Sequence, residues 1–129
     1  MNELSNTVSS NGTYNNIPTS LTSNTSVVNI IDGLTLTKTA DKQNWGSGSL
    51  TYTITIDNQS DMAYENPTVT DVINTNLVKF LDGSVVINNT VATSQQYNYD
   101  DSSHTLTVTL DKVAAKSTTT ITFRVDKNP

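Results

Sequence analysis

The sequence contains no cysteine and few aromatic or basic residues. Without cysteine, neither a disulfide framework nor a thiolate metal site can form. Seven basic residues are spread along a chain of net charge −5, so no basic patch can neutralise a phosphate backbone or an anionic membrane surface. The single histidine, His104, cannot build a histidine metal cluster. These shortages argue against nucleic-acid binding and against an enzyme, and we expect no cofactor and no metal.

Long apolar runs are also missing. No segment approaches the roughly 20 apolar residues that a membrane-spanning helix needs, so we expect no membrane insertion. The first thirty residues contain no basic region followed by an apolar stretch, so no secretory signal peptide is visible. Thr, Ser and Asn fill the composition, and β-branched Thr and Val favour extended structure.

From Gly33 onward, apolar and polar residues alternate in short runs that are separated by turn signals. The clearest run is 50–56, in which Leu50, Tyr52 and Ile54 fall on one face. Apolar residues never recur at helical spacing over three turns. This periodicity predicts an all-β, immunoglobulin-like β-sandwich of about seven to eight strands over residues 33–129.

Residues 1–32 form a Ser/Thr/Asn-rich arm, because 18 of the first 30 residues are of these three types. Such a segment is typical of a disordered tail, whereas an ordered arm needs many contacts to offset about 1 kcal/mol of backbone entropy per residue. Segment 26–32 is predicted to be a strand. It is either an extra strand of its own sandwich or a strand donated to a neighbouring subunit. Its assembly residues would be Val27, Val28, Asn29, Ile30 and Ile31.

Four stretches together resemble the bacterial surface repeat known as domain of unknown function number eleven. They are 33–41, 50–58, 69–72 and 117–123, within a match over roughly residues 33–126. The resemblance implies an immunoglobulin-like domain of Gram-positive cell-wall, pilus-like and spore-surface proteins, with no enzyme activity. The chain departs from the family pattern at 72–74, where Val-Ile-Asn replaces the usual Leu-Pro pair.

Two charged residues occupy positions that alternation directs toward the core. Lys38 shares the parity of Leu36, and Asp71 shares that of Val69 and Ile73. In one interpretation, Lys38 extends its ammonium to water near a strand end and Asp71 caps a turn. In the other, suggested by related Gram-positive sandwich domains, Lys38 attacks an asparagine to form an intramolecular isopeptide bond.

The isopeptide interpretation requires a carboxylate that transfers the proton and an asparagine that accepts the lysine. The carboxylate would be Asp71, with Glu65 as the alternative. The asparagine would be Asn128, although its parity opposes the core positions of the last strand. Asn58, in phase with Ile54, is the alternative asparagine.

Two functions remain open at this point. The first is a self-assembling structural subunit of an extracellular or spore-surface fibre, a homo-oligomer or filament that is joined through the N-terminal arm. The second is an adhesin-type binding or spacer repeat of a larger cell-surface protein. Both place the chain at a cell or spore surface.

Overall fold

Strands and turns make up the described part of the chain, as its β-branched composition favours. The computed structural model describes residues 2–129, which divide at Asp32/Gly33 into two compact units. Within these residues, no helix is long and apolar enough to cross a membrane. The predicted all-β class is confirmed, with sheets that pack as a sandwich in the larger unit.

The N-terminal unit is one long antiparallel ribbon of two paired segments. Strands β2 and β3 pair over six residues each, and β1 pairs with β4 over five. The strands are β1 (Asn2–Asn6), β2 (Ser9–Tyr14), β3 (Ile17–Thr22) and β4 (Ser26–Ile30). The predicted strand 26–32 therefore ends at Ile30, and the preceding residues form strands rather than a tail.

A two-residue turn at Asn15 and Asn16 closes the ribbon. Both residues have positive φ, 50° and 64°. This backbone matches a type I′ turn, whose twist fits the twist of paired strands, and asparagine tolerates the left-handed region better than most residues. The Asn-Asn pair is thus a sequence signal for the turn that joins β2 to β3.

The larger unit, residues 33–129, contains three sheets. The six-stranded sheet has the order β11-β10-β15-β6-β5, with β9 also paired to β15, and a three-stranded sheet has the order β12-β13-β8. Strands β7 and β14 form a short third pair. The strands are β5 (Leu34–Ala40), β6 (Leu50–Asn58), β7 (Tyr64–Glu65), β8 (Thr68–Val72), β9 (Val78–Phe80), β10 (Val86–Ile87), β11 (Thr90–Val91), β12 (Tyr97–Asp100), β13 (Thr105–Thr109), β14 (Lys112–Val113) and β15 (Ser117–Lys127).

Strands β6 and β15 carry half of the buried apolar side chains, and their alternation is the most regular. Ile54 pairs with Ile121, and both side chains are buried, whereas the threonines between the core positions are only partly buried. Leu106 and Val108 of β13 contribute from the three-stranded sheet. The buried apolar side chains are Leu50, Ile54, Ile56, Ile73, Val85, Leu106, Val108, Leu110, Val113, Ile121, Phe123 and Val125.

The register of β5, β6 and β15 aligns three long strands. Leu34 of β5 lies opposite Asn58 of β6, which in turn lies opposite Ser117 of β15. The far end of β15 extends to Lys127, where β9 pairs with it. Strand β5 ends the six-stranded sheet and β8 ends the three-stranded sheet, so each sheet terminates in an edge strand.

Candidate assembly site

The tip half of the ribbon has one apolar face. Residues that are paired across an antiparallel ladder project to the same face, and every second residue along a strand follows them. Tyr14 pairs with Ile17, and Leu21 lies four residues further along β3 on the same face. We name these three exposed side chains the tip patch.

The base half of the ribbon repeats this arrangement. Leu4 pairs with Val28, and Ile30 shares their face, whereas Val27 and Asn29 project from the opposite face. We name Leu4, Val28 and Ile30 the base patch. All three side chains are exposed, so both halves of the ribbon present apolar surface to solvent.

A one-residue register change separates the two halves. Two residues, Thr7 and Val8, connect β1 to β2, whereas three residues, 23–25, return from β3 to β4. The Val8 amide donates to Ser23 Oγ at 3.0 Å, and the Ser23 amide donates to the Val8 carbonyl at 2.9 Å. The ribbon is therefore continuous across a bulge, a feature that increases local twist.

The ribbon is a poor candidate for an independently stable structure. A two-stranded ribbon is marginal in water, because it has neither a third strand nor a covered face. Within residues 2–30, each strand pairs on one edge only, so rows of backbone amide and carbonyl groups are open on both sides. Open edges and exposed apolar faces together are typical of a segment that binds another sheet.

The five predicted assembly residues do not lie on one face of the ribbon. Val28 and Ile30 lie in the base patch, Val27 and Asn29 lie on the opposite face of β4, and Ile31 follows the end of the strand. In the sequence these five residues form one continuous run. The structure adds Leu4 and the tip patch, which alternation across a paired ladder identifies.

A groove opens between the two edge strands of the larger unit. It has a volume of about 310 Å³ and is lined by parts of β5 and β8 together with Ile56, Tyr64 and Pro67. Leu36 points along the same face as buried Ile56, with which it pairs, yet 66 % of Leu36 is exposed. The core is therefore uncovered at this edge of the sandwich.

Lys38 and Asp71 join the two edge strands next to this groove. The Lys38 Nζ lies 2.7 Å from the Asp71 Oδ2, and 42 % of the lysine side chain but only 13 % of the aspartate side chain is exposed. The ammonium also lies 4.3 Å from the centre of the Tyr52 ring and 5.8 Å from that of Phe123. Asp71 is inside β8 opposite Leu106, rather than in a turn.

The other residues of the isopeptide hypothesis lie in separate contacts. The Asn128 amide donates to the Thr75 carbonyl at 2.7 Å. Asn58 is buried, and its amide donates to carbonyls of the 62 and 113–114 segments. Glu65 lies in β7 opposite Lys112. Among the predicted residues, the structure brings together Lys38 and Asp71.

We expect the intact mass of the purified protein to equal the mass of its sequence. A bond between Lys38 and an asparagine would release one ammonia, but the amides of Asn58 and Asn128 are hydrogen-bonded to backbone carbonyls. High-resolution mass spectrometry of the denatured chain measures the difference. A mass lower by one ammonia, absent from a Lys38→Arg variant, would establish the bond instead.

Other polar contacts belong to turns and strand ends. The pKa of Tyr97 is raised because its hydroxyl donates to Asp82 at 2.7 Å, and the Thr51 amide lowers the pKa of Asp41. Across residues 2–129, no group of three or more His, Cys, Asp or Glu side chains is placed to hold a metal ion.

Comparisons with protein-family models, with curated proteins and with solved structures found no match to this chain.

Proposed function

We propose that this protein is a structural subunit that assembles with copies of itself through its N-terminal ribbon. The observation that carries the proposal is the exposed apolar surface of the ribbon, which combines the base patch and the tip patch with two open strand edges. A stable ribbon requires a partner that pairs with an edge or covers a face. A second copy of the same chain provides such a partner at every step of an assembly.

The expected product is an extended fibre rather than a closed dimer. A contact between the ribbon of one copy and a different surface of the next copy repeats head to tail, and such contacts build open filaments unless their rotation closes a ring. Strand addition also contributes a row of backbone hydrogen bonds, each with a net value of about 1 kcal/mol. The family resemblance favours a cell-surface or spore-surface location for this fibre.

The first test compares the full chain with a chain that lacks residues 1–32. We expect the full chain to form oligomers or filaments as its concentration rises, and the shortened chain to remain a folded monomer. The apolar core lies entirely within residues 33–129, so the shortened chain keeps all its buried apolar side chains. Light scattering and negative-stain electron microscopy measure the assemblies, and circular dichroism measures the fold.

Two full-length double variants test whether assembly needs the apolar face of the ribbon or only the presence of the ribbon. Val28→Asp with Ile30→Asp places two charges in the base patch, whereas Val27→Asp with Asn29→Asp places two charges on the opposite face of β4. Burying an unpaired charge is expensive, so we expect only the first double variant to lose assembly. A full chain that stays monomeric at every concentration would refute the proposal and favour a spacer or binding repeat.

A further inference from the structure

The open edge of the sandwich has the geometry of an acceptor for an added strand. Strand β5 pairs only with β6, and β8 pairs only with β13, within the residues that the structure describes. The outer backbone edge of each strand is therefore free for pairing, and the groove lies between them. An added strand can pair with an edge while its side chains on one face enter the groove.

The lining of this groove is largely apolar, and it leaves part of the core uncovered. Leu34, Leu36 and Val69 line it, and Ile56 forms part of its floor. Leu36 occupies a core-facing position in β5, but its side chain is exposed. An occupant with two apolar side chains on one face would cover Leu36 as the rest of the core is covered.

Strand β4 presents such a face. Val28 and Ile30 are two residues apart, as are Leu34 and Leu36, so both strands space their side chains by about 6–7 Å. Residues 26–30 contain no charged residue, and neither does the lining of the groove. Seating β4 there would bury no unpaired charge, and the adjacent charges of Lys38 and Asp71 already neutralise each other.

From this match we infer that the groove between β5 and β8 is the docking site for β4 of a second copy. The inference rests on the proposed function and names the surface that receives the ribbon. The ribbon has exposed apolar side chains and open strand edges, and the groove exposes part of the apolar core next to open strand edges. If β4 of each copy fills the groove of the next copy, the contact repeats head to tail, as a filament requires.

The first experiment introduces a charge into the groove of the full chain and leaves the ribbon unchanged. Leu36→Asp is compared with Leu77→Asp, because both leucines are 66 % exposed and only Leu36 lines the groove. We expect Leu36→Asp to raise the concentration at which assembly begins by about tenfold or more, the equivalent of about 1.4 kcal/mol. Leu77→Asp should assemble like the unchanged protein.

Site-directed disulfides show directly which strand occupies the groove, because the chain has no native cysteine that could form other disulfides. A ¹⁵N-labelled Leu36→Cys chain is mixed with an unlabelled chain that carries either Val28→Cys or Ile30→Cys, and the mass identifies mixed dimers. We expect mixed dimers with at least one of these ribbon variants. The control is Val27→Cys, which is as exposed as Val28 but lies on the opposite face, and it should give none above background.

Each outcome decides a different claim. If Leu36→Asp assembles normally and neither ribbon thiol reaches residue 36, the groove is not the acceptor, although assembly through the ribbon stands. If a chain with both Val28→Cys and Leu36→Cys closes its disulfide within the dilute monomer, the occupant is its own β4 and the inference is overturned. If the unchanged protein never assembles, the proposed function fails as well.

Discussion

Replacing Phe123 by alanine should lower the free energy of unfolding of the sandwich by about 3–5 kcal/mol, the usual range for a buried phenylalanine. Phe123 is fully buried near the middle of β15. Its ring centre lies 5.4 Å from that of Tyr52 and 6.2 Å from that of Phe80. Removing the ring leaves a cavity that the surrounding paired strands cannot fill without breaking their ladders.

Urea unfolding followed by tryptophan fluorescence measures this loss. Trp45 is the only tryptophan, and its indole donates to the Gly48 carbonyl within the larger unit, so its emission reports on that unit. Val91→Ala is the control, because Val91 is exposed on β11 and should change stability by less than about 0.5 kcal/mol. Equal losses in the two variants would mean that Phe123 is not in a closely packed core.

The second large effect is expected at Asn58. Its Nδ2 donates to the carbonyls of Met62, Val113 and Ala114 at 2.8–3.2 Å, and its Oδ1 accepts from the Ser60 amide and hydroxyl. Asn58→Asp would replace the donating nitrogen by an oxygen that faces these carbonyls. We expect this variant to lose about 3–5 kcal/mol at pH 7, because the buried carboxylate has no positive partner.

This loss should shrink as the pH falls. Burial and the facing carbonyls favour the protonated acid, which can donate one hydrogen bond, so the pKa of the introduced carboxyl is raised in the folded state. The folded state then binds more protons than the unfolded state above the unfolded pKa of about 4, and stability decreases as the pH rises. Stability therefore recovers as the pH is lowered through the folded pKa.

Urea titrations of Asn58→Asp from neutral to mildly acidic pH check the slope. Asn58→Ala should be destabilised by a similar loss at every pH, since alanine does not titrate. Asn98→Asp is the matched control, because Asn98 is exposed on β12 and tolerates a charge. A loss for Asn58→Asp that does not vary with pH would contradict the role assigned to its amide hydrogens.

Strict alternation made the central strands predictable. In the run from Leu50 to Ile56, every second residue is apolar, and these residues form the face that packs into the core. The same alternation puts Lys38 and Asp71 at core-facing positions of two different strands. Their 2.7 Å contact depends on which strands end each sheet. Strand order is non-local, so periodicity alone could not predict the contact or the neighbouring groove.

The ribbon was harder to predict because its pairing is local but its composition is polar. The Asn15–Asn16 turn signal is in the sequence and Tyr14 and Ile17 flank it, yet most other residues of β2 and β3 are Ser, Thr, Asn or Gly and do not mark a face. The sequence places Asn58 in phase with the core, and the isopeptide hypothesis makes it an alternative partner of Lys38. Its contacts with the 62 and 113–114 segments required the folded chain.

The aligned register of β5, β6 and β15 also decides how the sandwich responds to tension. Strands β5 and β15 both run antiparallel to β6, and Leu34 begins β5 at the end of the sheet opposite to Lys127. A pull on these two points slides β5 and β15 in opposite directions along β6, so many hydrogen bonds between the strands bear the load together instead of breaking one at a time. A sheet that is loaded in this way resists tension between residues 34 and 127 better than a sheet whose hydrogen bonds break one after another.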